Sequence, residues 1–264
     1  MATRRHAQGQ SELATEAKER GFSAALAINF TVFQSITNVP HASYQHFDLN
    51  AGCGMNDKVG VIGSPLVFQY EAIARGLRRY DAYFCDHSID AITELSGRIM
   101  PTATGRMHVI HADNAEFCEH IPRLIHESGE REKYALGSIF IDPNGASIPI
   151  DAVANVARLC PRLDVFICLA ATALKRAAGY QVPSILDILH KIPKHHWLIR
   201  TPIGKWQWTM LLGRNFAVGE HRALGFYDLN SEPGREILAK CHLTNAALNA
   251  ELTVAHTAKQ PSLF

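Results

Sequence analysis

No apolar run in this 264-residue chain approaches the roughly 20 residues needed to span a bilayer, and Met1–Gln10 lacks the apolar centre of a secretion signal. Those two absences predict a soluble cytoplasmic protein with no membrane contact. The cysteines Cys53, Cys85, Cys118, Cys160, Cys168 and Cys241 form no C-x-x-C pair and no Cys/His ligand spacing, a pattern of buried thiols in a reducing compartment. The adjacent His195 and His196 make no metal pair either, because neighbours on a strand point to opposite faces. No metal is expected. Repeats and low-complexity tracts are missing too. A formal net charge of +1 gives no global attraction to a polyanion, so any nucleic-acid surface has to come from local asymmetry.

Such asymmetry is present. From Lys175 to Arg222 there are eight Lys/Arg and only two acids, Asp187 and Glu220. A solvated basic face accounts for this as readily as a ligand does. At 47% hydrophobic the chain can bury a large core. The expected organisation is an N-terminal arm or helical extension over 1–39, frayed or loosely packed up to residue 20, a core over 40–222, a C-terminal helical segment over 223–254 and a flexible tail over 255–264.

Strand-like runs at His46–Leu49, Ala82–Cys85, Met107–His111, Ser138–Ile141, Val165–Leu169, His196–Thr201 and Trp208–Leu212 alternate with helical stretches. The helices are expected at Pro65–Tyr80, with Ser64 as its cap, and at Ile89–Ile99, Glu116–Ser128, Pro149–Leu159, Ser184–Lys191 and Arg235–Ala250. Strand and helix in alternation predict an α/β fold with right-handed crossovers. Pro202–Gln207 is too short for a crossover, so the last two strands should pair antiparallel.

Two strand ends carry chemistry. Asp48-Leu49-Asn50-Ala51-Gly52-Cys53-Gly54 places two glycines where a backbone can approach a ligand without Cβ atoms in the way. Ile141-Asp142-Pro143-Asn144-Gly145 ends another strand on a carboxylate and a rigid proline, and is also a good turn sequence in its own right. These motifs, with six strands and a hairpin to a seventh, resemble the class I S-adenosylmethionine-dependent methyltransferases over about residues 40–220. The resemblance implies a Rossmann-like, doubly wound seven-stranded sheet, mostly parallel with the last strand antiparallel, and S-adenosylmethionine bound at the carboxyl ends of the early strands.

By the same resemblance, Asp48, Asn50, Ala51, Gly52 and Gly54 belong to the loop that holds the cofactor, Asp86 meets its ribose, and Asp113 with Asn114 its adenine. Asp142, Pro143 and Asn144 match the Asp-Pro-Pro-Tyr class of signature found in enzymes that methylate exocyclic amines of nucleobases, where carboxylate and carbonyl orient the amine. Asn144-Gly145 stands where the second proline and the base-stacking ring would be. The insertion Met55–Gly63, before the first helix, is read equally as a flap or as a passive loop.

Lys205-Trp206-Gln207-Trp208, with Arg200 nearby, interleaves cations and aromatic faces as single-stranded nucleic acid requires. Trp206 or Trp208 could supply the missing ring, although Trp208 begins an apolar strand and suits a core position better. The terminus Gln260-Pro261-Ser262-Leu263-Phe264 is similar to the peptide by which bacterial replication and repair proteins engage the DNA sliding clamp, with Gln260, Leu263 and Phe264 as contacts. The leading expectation is a DNA methyltransferase acting on an exocyclic amine, adenine first, with low or short sequence specificity. Cysteine-mediated attack on a cytosine ring is disfavoured, because no Pro-Cys pair exists. The alternatives are an acceptor in RNA, protein or a small molecule, and a non-catalytic binding module of the same fold.

Overall fold

The computed structural model describes residues 12–36, 42–57, 60–142, 148–170, 185, 189–202, 208–217 and 219–241. Helix α1 (Glu12–Ile36) is followed by β1 (Tyr44–Asp48), a small hairpin of β2 (Met55–Asn56) and β3 (Val61–Ile62), and α2 (Ser64–Ala74). Then come β4 (Tyr80–Asp86), α3 (Ile89–Arg98), β5 (Gly105–His111), α4 (Asn114–Glu127), β6 (Gly137–Ile141), α5 (Ile150–Leu159) and β7 (Leu163–Ala170). The remaining elements are β8 (His196–Arg200), β9 (Trp208–Arg214), β10 (Phe226–Asp228) and α6 (Glu232–Lys240).

The main sheet runs β10-β8-β9-β7-β6-β1-β4-β5. β1, β4, β5, β6 and β7 pair in parallel, while β9 lies antiparallel between β7 and β8. The fold is therefore α/β and doubly wound, with a mostly parallel sheet. Among the described residues it has eight strands rather than the expected seven: β10, three residues long, adds an antiparallel edge to β8. So short a strand leaves almost no alternation to detect.

β1 and β6 are buried along their whole length, as parallel strands with helices on both faces must be. On one face Phe117, Ile121 and Ile125 of α4 and Val153, Val156 and Ala157 of α5 cover Ile139, Ile141, Val165 and Ile167. On the other, α1 lays Phe22, Leu26, Phe30 and Phe33 over Tyr44, Phe140, Phe166 and Leu212. The Phe22 and Phe140 rings are 4.1 Å apart, and Phe30 meets Tyr44 edge-on at 5.0 Å. Each such aromatic pair adds about 1 kcal/mol beyond its buried area.

Beneath α1 lies a polar cluster. Tyr44 donates its hydroxyl to Ser138 (2.8 Å), Asn29 donates to Asp164, and Arg214 Nε donates to the same carboxylate (3.1 Å). Buried polar groups of this kind tolerate only one placement of the helix. The described part of the N-terminal stretch is thus an integral layer of the fold, not a loosely packed arm: Lys18 is only 8% exposed.

Helix α2 ends at Ala74, short of the expected Tyr80. Gly76 turns left-handed (φ 64°), and the Leu77 and Gly76 amides close on the Ala72 and Ile73 carbonyls in a Schellman pattern. Its N-cap is Gly63 rather than Ser64, because the Ser64 hydroxyl is committed to Asp48.

Candidate functional site

β1 delivers Asp48 into the interior, 0% exposed. One carboxylate oxygen accepts from the Asn50 amide (3.0 Å) and the other from the Ser64 hydroxyl (2.6 Å), so Asp48 ties the glycine loop to the start of α2 and lines no open space. Burial pushes its carboxyl up to about 7, against the lowering effect of those two bonds, and the nearby Asp142 and Asp86 charges push the same way. A raised carboxyl favours folding while protonated. Its contribution is complete below the unfolded value near 4 and is lost as pH rises through about 7. Asp48→Asn is therefore expected to leave stability unchanged near pH 4 and to raise it by a few kcal/mol at pH 8. Urea denaturation across that range tests this, and equal effects at both ends would reject it.

The loop above Asp48 is fixed from several sides. Asp86, at the end of β4, accepts from the Gly52 amide (2.9 Å) through one oxygen and from the Ser88 amide (2.9 Å) through the other. Gly54 has φ 78°, and a Cβ there would lie 2.7 Å from Leu95 Cδ1, so a side chain would be strained in conformation and would push the Leu95 side chain aside. Arg98 donates to the Cys53 carbonyl (2.8 Å) and to Asp57 (3.0 Å). The insertion is thereby resolved as a hairpin, β2 pairing Met55 with Ile62 of β3, latched over the loop.

These parts line an open cleft. Asn50, Ala51, Gly52 and Gly54 line its floor, Met55, Asn56, Val61 and Ile62 of the hairpin one side, Lys18, Glu19 and Phe22 of α1 another, and Phe140 and Asp142 its far end. Asn50 Oδ1 is buried with no hydrogen-bond donor. A buried acceptor without a partner is costly unless a ligand or water supplies one.

At the far end Lys18 Nζ meets both Asp142 oxygens, at 2.7 and 2.9 Å, and sits 3.8 Å from the centroid of the Trp208 ring. Carboxylate and indole face therefore bracket one primary amine. Lys18, like Glu19 and Phe22, was not among the residues singled out in the sequence. It lies in a run of mixed charge that reads as a solvated helix face, and its partner is 124 positions away.

The other expected residues fall into place unevenly. Asp113 is exposed and caps α4, accepting from the Ala115 amide (2.8 Å), with Asn114 the first helical residue. It stands at the end of β5, beside the end of β4 that carries Asp86. Arg200, at the end of β8, donates to the Leu224 carbonyl (3.2 Å). Pro143, Asn144, Lys205, Trp206, Gln260, Leu263 and Phe264 lie outside the described residues. Five cysteines are buried and free, and Cys53 is half-buried. Among the described residues no group of three metal-binding side chains converges and no helix is long and apolar enough to cross a membrane.

No protein-family model and no curated protein matches the chain. Solved structures do. Protein LPL1258 from Legionella pneumophila, of the DUF519 family, aligns with 14% identity and a TM-score of 0.53 over 78% of this chain and 87% of its own. The plantazolicin methyltransferase BamL, solved with a desmethyl plantazolicin analogue and SAH, gives 14% identity and a TM-score of 0.43 over 92% and 80%. Aeropyrum pernix fibrillarin with natively bound S-adenosyl-L-methionine gives 12% and 0.39 over 74% and 76%. The first likeness shows a shared fold.

Proposed function

We propose that the protein is an S-adenosylmethionine-dependent methyltransferase whose acceptor is an exocyclic amine of a nucleobase in DNA, adenine first. The observation that carries this reading is the bracket at the end of the cleft, where Asp142 and Trp208 hold the Lys18 amine. A carboxylate that accepts two N–H bonds, beside an aromatic face, is what a planar base bearing an amino group needs. Trp208 thereby fills the role left open by Asn144-Gly145.

The residues present fit the cofactor. The donorless Asn50 Oδ1 suits its amino group, and the bare backbone at Gly52–Gly54 admits close approach. Asp86 spends one lone pair of each oxygen on Gly52 and Ser88, leaving capacity for a ribose diol. Asp113 and Asn114 stand one strand further on for the adenine. When bound, S-adenosylmethionine supplies an electrophilic methyl group. The chain's own residues align the acceptor: Asp142 takes the amine's hydrogens and keeps its lone pair free, Trp208 fixes the plane of the ring, and the acceptor displaces Lys18 Nζ from that position.

Incubating the protein with labelled cofactor and unmodified DNA tests the reading. Label should appear in the adenine amine, and its absence under conditions where the cofactor binds would reject the assignment. The second reading, an acceptor in RNA, a protein or a small molecule, is favoured by the absent ring after Asp142-Pro143-Asn144 and is separated by competing those acceptors in one assay. Docking of the Gln260–Phe264 tail on a bacterial sliding clamp is part of the proposal. Deleting those five residues should abolish capture by purified clamp, and undiminished capture would dismiss it.

A further inference from the structure

Among the described residues two lysines have almost no exposed surface, Lys18 at 8% and Lys194 at 7%. Their surroundings differ. Lys194 Nζ donates to the Pro161 carbonyl (3.0 Å), whereas Lys18 lines the cleft together with Asn50, Ala51 and Gly52 and gives two N–H bonds to Asp142, at 2.7 and 2.9 Å. An ammonium has three donors, so one N–H is left outside that contact. Phe22, one turn further along the same face of α1, packs on Phe140 with ring centroids 4.1 Å apart and keeps the helix over the cleft.

We propose that Lys18 Nζ is itself a methyl acceptor, so that the protein methylates its own helix α1 from the cleft proposed to hold S-adenosylmethionine when no external amine is present. This rests on the reading of Asp142 and Trp208 as the acceptor bracket, because Lys18 stands in that bracket. The carboxylate, with the indole face 3.8 Å from Nζ, treats this amine as it would treat any acceptor, and the tether to α1 makes the transfer intramolecular. Loss of the third proton to water leaves a neutral amine whose two remaining hydrogens stay on Asp142 and whose lone pair points away from the carboxylate. Lys18 Nζ then forms the N–C bond to the methyl carbon, the C–S electron pair returns to sulfur, and the positive charge passes from sulfur to nitrogen with release of S-adenosylhomocysteine. One methyl leaves both bonds to Asp142 intact. A second would replace an N–H that the carboxylate uses, so the product is monomethyl-lysine.

The test incubates the purified full chain with methyl-labelled S-adenosylmethionine, with and without unmodified DNA, and maps the label by peptide mass. Without DNA, wild type should gain a single methyl group at Lys18 and none at Lys194, at a rate independent of protein concentration. Lys18→Arg, which keeps the ion pair without a nucleophilic amine, should take no label. Calorimetry gives a readout that needs no turnover. Lys18→Gln, shown by its melting to be folded, removes a positive charge beside the sulfonium and should raise the affinity for S-adenosylmethionine relative to uncharged S-adenosylhomocysteine about tenfold. An unlabelled Lys18 in protein that binds the cofactor, a rate that rises with protein concentration, or an unchanged affinity ratio would overturn the inference. Label on Lys18 with none on DNA leaves self-methylation standing and removes the nucleobase as acceptor. Label on DNA with none on Lys18 does the reverse, and if no cofactor binds, both readings fall.

Discussion

Gly137→Ala is expected to cost more than about 4 kcal/mol and to leave little folded protein at 25 °C. Gly137 opens β6 with φ 154°, and a Cβ there would lie 1.8 Å from the Gln45 carbonyl oxygen and 2.6 Å from its carbon. That backbone cannot withdraw. β1 pairs with β6 on one side and β4 on the other, and the Gln45 amide is itself bonded to the Leu136 carbonyl at 2.9 Å. Relief would part the two central strands that place Asp48 and Asp142. Gly129→Ala is the control: its φ is also positive, 89°, but nothing lies within 4 Å of a Cβ, so only the conformational cost of about 1–2 kcal/mol applies. Urea denaturation of both variants tests the contrast. Similar losses in the two would show that conformation, not the Gln45 contact, sets the cost.

How much of this was legible in the sequence depended on how local each signal was. The parallel strands could be placed because burial on both faces forces continuous apolar runs such as Ile139-Phe140-Ile141, and Pro202–Gln207 was short enough to require an antiparallel return. The glycine loop was legible for the same reason, its Asp and Gly residues lying within seven positions. Helix α1 was not. Its polar contacts span 124 positions from Lys18 to Asp142 and 135 from Asn29 to Asp164, and a lysine bound for a buried carboxylate looks in sequence like one bound for water. The hairpin of Met55–Gly63 escaped because strands of two residues carry no period.

That hidden helix changes the character of the cleft. Without α1 the carboxyl ends of β1 and β6 would open to solvent, and a carboxylate there would be one acceptor among many waters. With Phe22 packed on Phe140 and Lys18 reaching over Trp208, Asp142 has a defined partner in a site of lowered dielectric, where each hydrogen bond counts for more. On the proposed reading, selectivity for an amine follows from the same enclosure. A group that cannot donate to Asp142 would bury the carboxylate unpaired.

Asp142→Ala should therefore reduce methyl transfer about a thousandfold, some 4 kcal/mol of barrier, while cofactor affinity by calorimetry changes little. The groups proposed to face the cofactor, Asn50, the Gly52–Gly54 backbone and Asp86, make their hydrogen bonds without Asp142. A complication is built into the bracket: removing the carboxylate strands the Lys18 ammonium, whose side chain is 8% exposed, and breaking a buried pair from one side costs about 3–5 kcal/mol of stability. Lost activity could then reflect a loosened α1. The double variant Lys18→Met with Asp142→Ala separates the two causes. It removes the stranded charge and should recover most of the lost stability in thermal unfolding, yet methyl transfer should stay near the level of Asp142→Ala. Activity that returned together with stability would make Asp142 a partner for Lys18 and nothing more, because a group that orients the acceptor amine cannot be replaced by repairing the helix that covers it.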